Sequence, residues 1–214
     1  MPITLRLNTC VGAVILASMS LATGAVMAAD ADADAPAAKQ IIDFTGDAAT
    51  AQGGVIGNVV YSQSPDDAAL KSKTFADGAL KVVGQVGFGK SSKWAGMGIT
   101  TSIGPSGTQI DANSFKTISF KLAASEPVKL RVRIIGNEQA INDAGCYPIV
   151  MQAVTTELTE YTVPLASFAS EGWCGGKARS VNKTLSGFTG FEVVNIDMTG
   201  KETSFTLGSV RLNP

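Results

Sequence analysis

The sequence predicts an all-β protein folded as a two-sheet β-sandwich, and three observations predict it. From residue 41 onward apolar and polar side chains alternate with a period of two, the signature of half-buried strands. Glycine is abundant at 23 residues while charged residues make up only 16% of the chain, a balance that suits strands joined by tight turns. No amphipathic helix of useful length breaks the pattern; short helical turns are expected only at Pro65–Lys71 and Ser167–Ser170.

The amino-terminal end is of a different kind. Arg6 is the only charge before Asp30, residues 11–26 are apolar or small, and Val26 and Ala28 occupy the −3 and −1 positions of a small-residue cleavage site. Residues 1–28 therefore read as a cleavable signal peptide. Ser18, Ser20, Thr23 and Gly24 dilute the apolar run below what a membrane-spanning helix needs. Residues 29–39, alternating Asp and Ala before Pro36, form an acidic spacer with nothing to pack. Residues 40–214 are expected to make one domain, secreted or periplasmic, with no membrane span after processing.

Within that domain the strands follow in order. Leu80, Val82, Val86 and Phe88 alternate with Lys81, Gln85 and Gly87; Ala95, Met97, Ile99 and Ile103 with Gly96, Gly98, Thr100 and Ser102. Ile118, Phe120 and Leu122 oppose Thr117, Ser119 and Lys121, and Leu130, Val132 and Ile134 oppose Lys129, Arg131 and Arg133. Tyr161, Val163 and Leu165 make another set. The last strand changes phase between Phe205/Leu207 and Val210/Leu212, which predicts a β-bulge at Gly208–Ser209. Turns are signalled at Asp77-Gly78, at 104–107, at 125–127 and at Thr199-Gly200. Eight or nine strands with one polar face each need a second sheet to cover the apolar one.

Composition limits the chemistry. The chain has no histidine, which excludes Ser-His-Asp and Cys-His nucleophile systems and every His-ligated metal site. A net charge of −1 offers no concentrated basic surface for nucleic acid. Two cysteines, Cys146 and Cys174, survive processing and are expected to pair in an oxidising compartment. That disulfide would join two irregular segments, 136–147 and 169–183, at one end or face of the sandwich. Long loops on a rigid sheet are where binding residues tend to be carried.

Several segments carry a family resemblance: IDF at 42–44, GALKV at 78–82, WAGMGI at 94–99, DANSFKTISF at 111–120, YTVPLASF at 161–168 and FTLGSVRL at 205–212. In this order they resemble the galactose-binding-like jelly rolls, especially the carbohydrate-binding modules of family 11. The resemblance covers essentially the whole mature domain. It implies a jelly-roll sandwich and a non-catalytic function, binding a polysaccharide or oligosaccharide. It also implies a structural calcium with Asp43 among its ligands. This sequence departs from that pattern at Gly208 and Ser209, where relatives commonly carry an aspartate, so the expected calcium loses a ligand. No other cofactor is implied.

Sugar recognition needs an aromatic plate for the C–H face of the ring and planar polar groups for its hydroxyls. Trp173, flanked by glycine in the second irregular segment, and Tyr147, beside Cys146, are the candidate plates. Arg131, Arg133, Asn137, Glu138 and Asp143 are candidate polar ligands, although the arginines also read as a solvated strand face and the others as turn formers. Trp94 reads as core. Two alternatives stand beside the carbohydrate-binding expectation. One is an assembly or adhesion protein using the same face against a protein partner. The other is a glycoside hydrolase drawing a carboxylate pair from Glu138, Asp143 and Glu171.

Overall fold

The computed structural model describes residues 36–87 and 92–214. The expected signal peptide, most of the expected acidic spacer and Phe88 lie outside the described residues.

Among the described residues eleven strands form two antiparallel sheets. The first sheet contains β1 (Lys39–Ile42), β3 (Ala68–Ala76), β4 (Ala79–Val86), β6 (Thr117–Ala124), β9 (Thr159–Pro164) and β11 (Glu202–Asn213). Its order is β3-β4-β11-β6-β9, with β1 added to the far end of the long β11. The second contains β2 (Ile56–Ser62), β5 (Ala95–Ser102), β7 (Val128–Gly136), β8 (Ile149–Val154) and β10 (Phe188–Asn195), in the order β2-β5-β10-β7-β8. The all-β sandwich predicted from the alternation is thus observed.

The alternating residues face as their parity requires. Leu80, Val82, Met97, Ile99, Ile118, Phe120, Leu122, Leu130, Val132, Ile134, Phe191, Val193, Phe205 and Leu207 are all buried between the sheets. Phe120 of the first sheet meets Phe191 of the second with ring centroids 5.4 Å apart, an interlock across the core. The hairpin β3–β4 closes on Asp77-Gly78, both at positive φ (52° and 73°), the mirror-image turn that matches strand twist. In β11 the register against β6 shifts between Leu207 and Val210, so the predicted bulge at Gly208–Ser209 is present and puts both apolar pairs on the inner face.

Three expectations are corrected. The described residues hold more strands than the eight or nine expected, because β2, β3, β8 and β10 have alternation too weak or too mixed to announce them. Pro65–Lys71 is no helical turn: Asp66 adopts φ 60° and the chain enters β3 at Ala68. The turn expected at Ser167–Ser170 lies earlier, as a 3-10 helix at Leu165–Ser167. Two short helices, α1 (Gln139–Ala144) and α2 (Val181–Leu185), sit in the irregular segments. No helix among the described residues is long and apolar enough to cross a membrane.

The Cys146–Cys174 disulfide forms, with Cα atoms 5.7 Å apart and both cysteines buried. It joins the α1 segment to a 3-10 turn at Gly172–Lys177, as the paired cysteines predicted.

Candidate functional site

The outer face of the second sheet is built around β7. With Leu130, Val132 and Ile134 in the core, Arg131 and Arg133 must point outward. Their cross-strand neighbours are Val194 and Glu192 on β10, and Met151 and Ile149 on β8. Arg133 lies directly opposite Glu192, and its Nη1 donates to Glu192 Oε1 at 2.6 Å. Arg131 Nη1 donates to both carboxylate oxygens of Glu171 at 2.9 Å, and Arg133 Nη2 lies 3.8 Å from the same carboxylate. Two positive and two negative charges therefore form one balanced cluster. Low local dielectric strengthens these pairs, and the charges need one another because each has left water.

Burial changes how these groups titrate. The Arg131 guanidinium is held below its ordinary range, first by loss of hydration and then by the nearby charge of Arg133. The Tyr147 phenol is pushed up, first by burial and then by the nearby charge of Glu192.

Aromatic rings flank the cluster. Tyr61 of β2 lies under Arg131, 5.5 Å from guanidinium carbon to ring centroid, and Tyr147 meets Arg133 at 5.7 Å. Trp94, just before β5, packs at 6.2 Å from Tyr61 and remains 54% exposed. Tyr61 can lie across β5 because Gly96 has no side chain: a Cβ there would sit 2.6 Å from the Tyr61 ring. A strip consequently runs from Trp94 through Tyr61, Arg131 and Arg133 to Tyr147. Two depressions border it. One of about 640 Å³ is lined by Lys129, Met151, Ala153 and Asp197. The other, of about 370 Å³, is lined by Gly57, Thr100, Ser102, Gln109 and Asn137.

Of the residues singled out in the sequence, Arg131, Arg133 and Tyr147 come together here. The arginines are not a solvated face; they are 7% and 9% exposed, because rings and carboxylates cover them. Trp173 is 63% exposed on its loop, with its ring edge against Gly145. Asn137 bonds Gln109, Glu138 faces Arg179 at 3.5 Å, and Asp143 accepts from Gln139 at 2.5 Å, so these three are held in local pairs around α1. Glu171, considered as one of a carboxylate pair, is instead the partner of Arg131. Asp43 uses its backbone to bond Gln52 and Ala51, and among the described residues no group of three His, Cys, Asp or Glu side chains is placed to hold a metal ion.

Reading Trp94 as core was wrong. It shares the parity of Gly96 and Gly98, opposite to Met97 and Ile99, and that parity was the signal that would have placed it outside. Tyr61 and Glu192 were also missed. Glu192 sits in a strand whose mixed alternation hid it, and Tyr61 acquires meaning only through the glycine beside it.

No family model and no curated protein sequence matches this chain. Solved structures do. The family 11 carbohydrate-binding module of the Clostridium thermocellum cellulosomal cellulase Lic26A-Cel5E aligns with a TM-score of 0.55 at 14% identity, over 82% of this chain and 94% of that one. The family 11 module from the same organism in complex with a β-1,3-1,4-mixed-linked tetrasaccharide aligns at 0.52 and 15% identity, over 82% and 95%. The solution structure of CtCBM11 aligns at 0.53 and 14%, over 85% and 97%. The chain shares the two-sheet β-sandwich fold of these modules.

Proposed function

We propose that this protein is an exported, non-catalytic carbohydrate-binding module whose ligand lies along the outer face of the second sheet. The observation that carries the reading is the strip from Trp94 to Tyr147. It offers the exposed ring of Trp94 and the half-buried rings of Tyr61 and Tyr147 for sugar C–H surfaces, beside a charge cluster already held in place, so little order is lost on binding. Trp173, on the disulfide-held loop, is proposed as a further ring for the same ligand. The structural likeness to family 11 modules supports the reading, and the mixed-linked tetrasaccharide bound to one of them makes mixed-linked β-glucan the first probe. The leader at 1–28 and the disulfide support export to the periplasm or the medium. The intact mass of the exported protein should correspond to a start at Ala29 or Asp30, and a retained leader would refute export.

The decisive experiment is titration of the wild type and of Trp94→Ala against soluble β-glucans. Loss of an aromatic anchor should weaken binding by about 2–4 kcal/mol. The melting temperature should move little, because more than half of Trp94 is exposed. Trp173→Ala should behave the same way if its loop contributes. A wild type that binds no polysaccharide in a broad panel would overturn the reading.

A further inference from the structure

The charge cluster has one member that does not belong to the sheet, and this inference about it rests on the glycan-binding reading above. Glu171 precedes the 3-10 turn Gly172–Lys177 in the disulfide-held loop. Three contacts fix that loop to the chain around β8. Ala169 and Ile149 exchange backbone bonds of 2.9 and 3.1 Å, the Ser170 hydroxyl donates to the Cys146 carbonyl at 3.2 Å, and Cys174 closes the disulfide. From this mooring the Glu171 carboxylate reaches Arg131 and approaches Arg133. The two guanidiniums keep 9% and 10% side-chain exposure, whereas Glu171 keeps 24%, so its carboxylate is the outermost charge. Arg133 has a partner within the sheet, Glu192, whereas the ion pair of Arg131 is made to the loop.

Both carboxylate oxygens accept from the one nitrogen Nη1 of Arg131, with a second guanidinium close by, and charge-assisted bonds from arginine are how a protein binds an acidic group. Here the chain supplies the acidic group itself. We infer that Glu171 is an internal carboxylate occupying an acid-binding position on Arg131 and Arg133, and that it sets this face to accept neutral rather than acidic glycans. With Glu171 in place, a uronic acid meets arginines already neutralised and a negative charge at contact distance, which repels it. Without Glu171, the buried Arg131 and Arg133 share the single carboxylate of Glu192, beside a space the size of the lost side chain that opens to solvent.

The test uses the oxidised full protein as wild type, Glu171→Ala and Glu171→Gln, with glucuronate and glucose as small probes and polygalacturonate and mixed-linked β-glucan as polymers. Glu171→Ala should melt below wild type, and excess glucuronate should raise its melting temperature while glucose does not and wild type stays unmoved. Its affinity for polygalacturonate should exceed the wild-type value by about tenfold or more and should fall with added salt. A folded Glu171→Ala that shows neither response overturns the inference, as does a wild type that binds polygalacturonate as tightly as the variant. Should Glu171→Ala fail to fold, Glu171→Gln keeps the shape and removes the charge; its polygalacturonate affinity must rise at low salt, and no rise overturns the inference. The β-glucan arm separates the two claims. Wild type failing on every neutral glycan, with Glu171→Ala responding to glucuronate, sinks the proposed function and leaves the carboxylate position standing.

Discussion

Both sheets turn one face to the shared core, yet their outer faces differ in what the polar positions do. On the first sheet the outward groups are ordinary surface. Lys71 pairs with Glu202 at 2.8 Å and Arg211 with Glu160 at 2.7 Å, all four between 38% and 57% exposed. Ser119, Thr162 and Asn213 form a local bonded set between strands. On the second sheet Arg133 pairs with Glu192 at 2.6 Å, much the same distance, but with exposures of 10% and 8%. Distance therefore does not separate these ion pairs; burial does. An exposed pair exchanges water for its partner at almost no gain, whereas a buried pair has surrendered water and depends on the partner remaining. The difference arises from neighbours: Tyr61, Trp94, Tyr147 and the loop bearing Glu171 lie over the second sheet.

Breaking one pair on each face is the sharpest test of that contrast. Glu192→Ala leaves Arg133 buried without its in-sheet partner and should cost about 3–5 kcal/mol of unfolding free energy, read by urea denaturation of the oxidised protein. A loss below about 1 kcal/mol would show that water reaches the cluster and that the two faces are alike. An intermediate effect is expected from Gly96→Ala, because the new methyl group meets the Tyr61 ring at 2.6 Å. Overpacking there should cost about 1–3 kcal/mol and should weaken glycan binding as Tyr61 is displaced from Arg131. Unchanged affinity would remove Tyr61 from the strip. The smallest effect belongs to the first sheet: Glu202→Ala, which deletes the Lys71 pair, should shift stability by less than about 1 kcal/mol under the same denaturation.

Within the candidate site, legibility followed how locally each feature is encoded. Arg131 and Arg133 were placed on the outward parity by their own strand, since Leu130, Val132 and Ile134 fix the inward one. Tyr147 was placed by its neighbour Cys146 and the pairing of the cysteines. Glu192 and Tyr61 were illegible for opposite reasons. Glu192 lies among Phe191, Val193 and Val194, all buried, so its strand does not alternate cleanly. Tyr61 sits on an edge strand whose role depends on Gly96, 35 positions along the chain and directly opposite in the register.

By itself the sequence determined the class of fold, the inward residues of the strong strands, the bulge in β11, the Asp77-Gly78 turn and the disulfide partners. Each of these follows from a period of two, from backbone preferences of single residues, or from counting cysteines, and all are short-range or combinatorial facts. Only the tertiary structure decided that Arg131 takes its partner from Glu171, 40 positions away, rather than from the sheet, and that Trp94 stands outside while the arginines are covered. Parity tells which side of a sheet a residue faces, but whether that side meets water depends on what else the chain lays across it. That depends on strand order and loop anchoring, which side-chain periodicity does not contain.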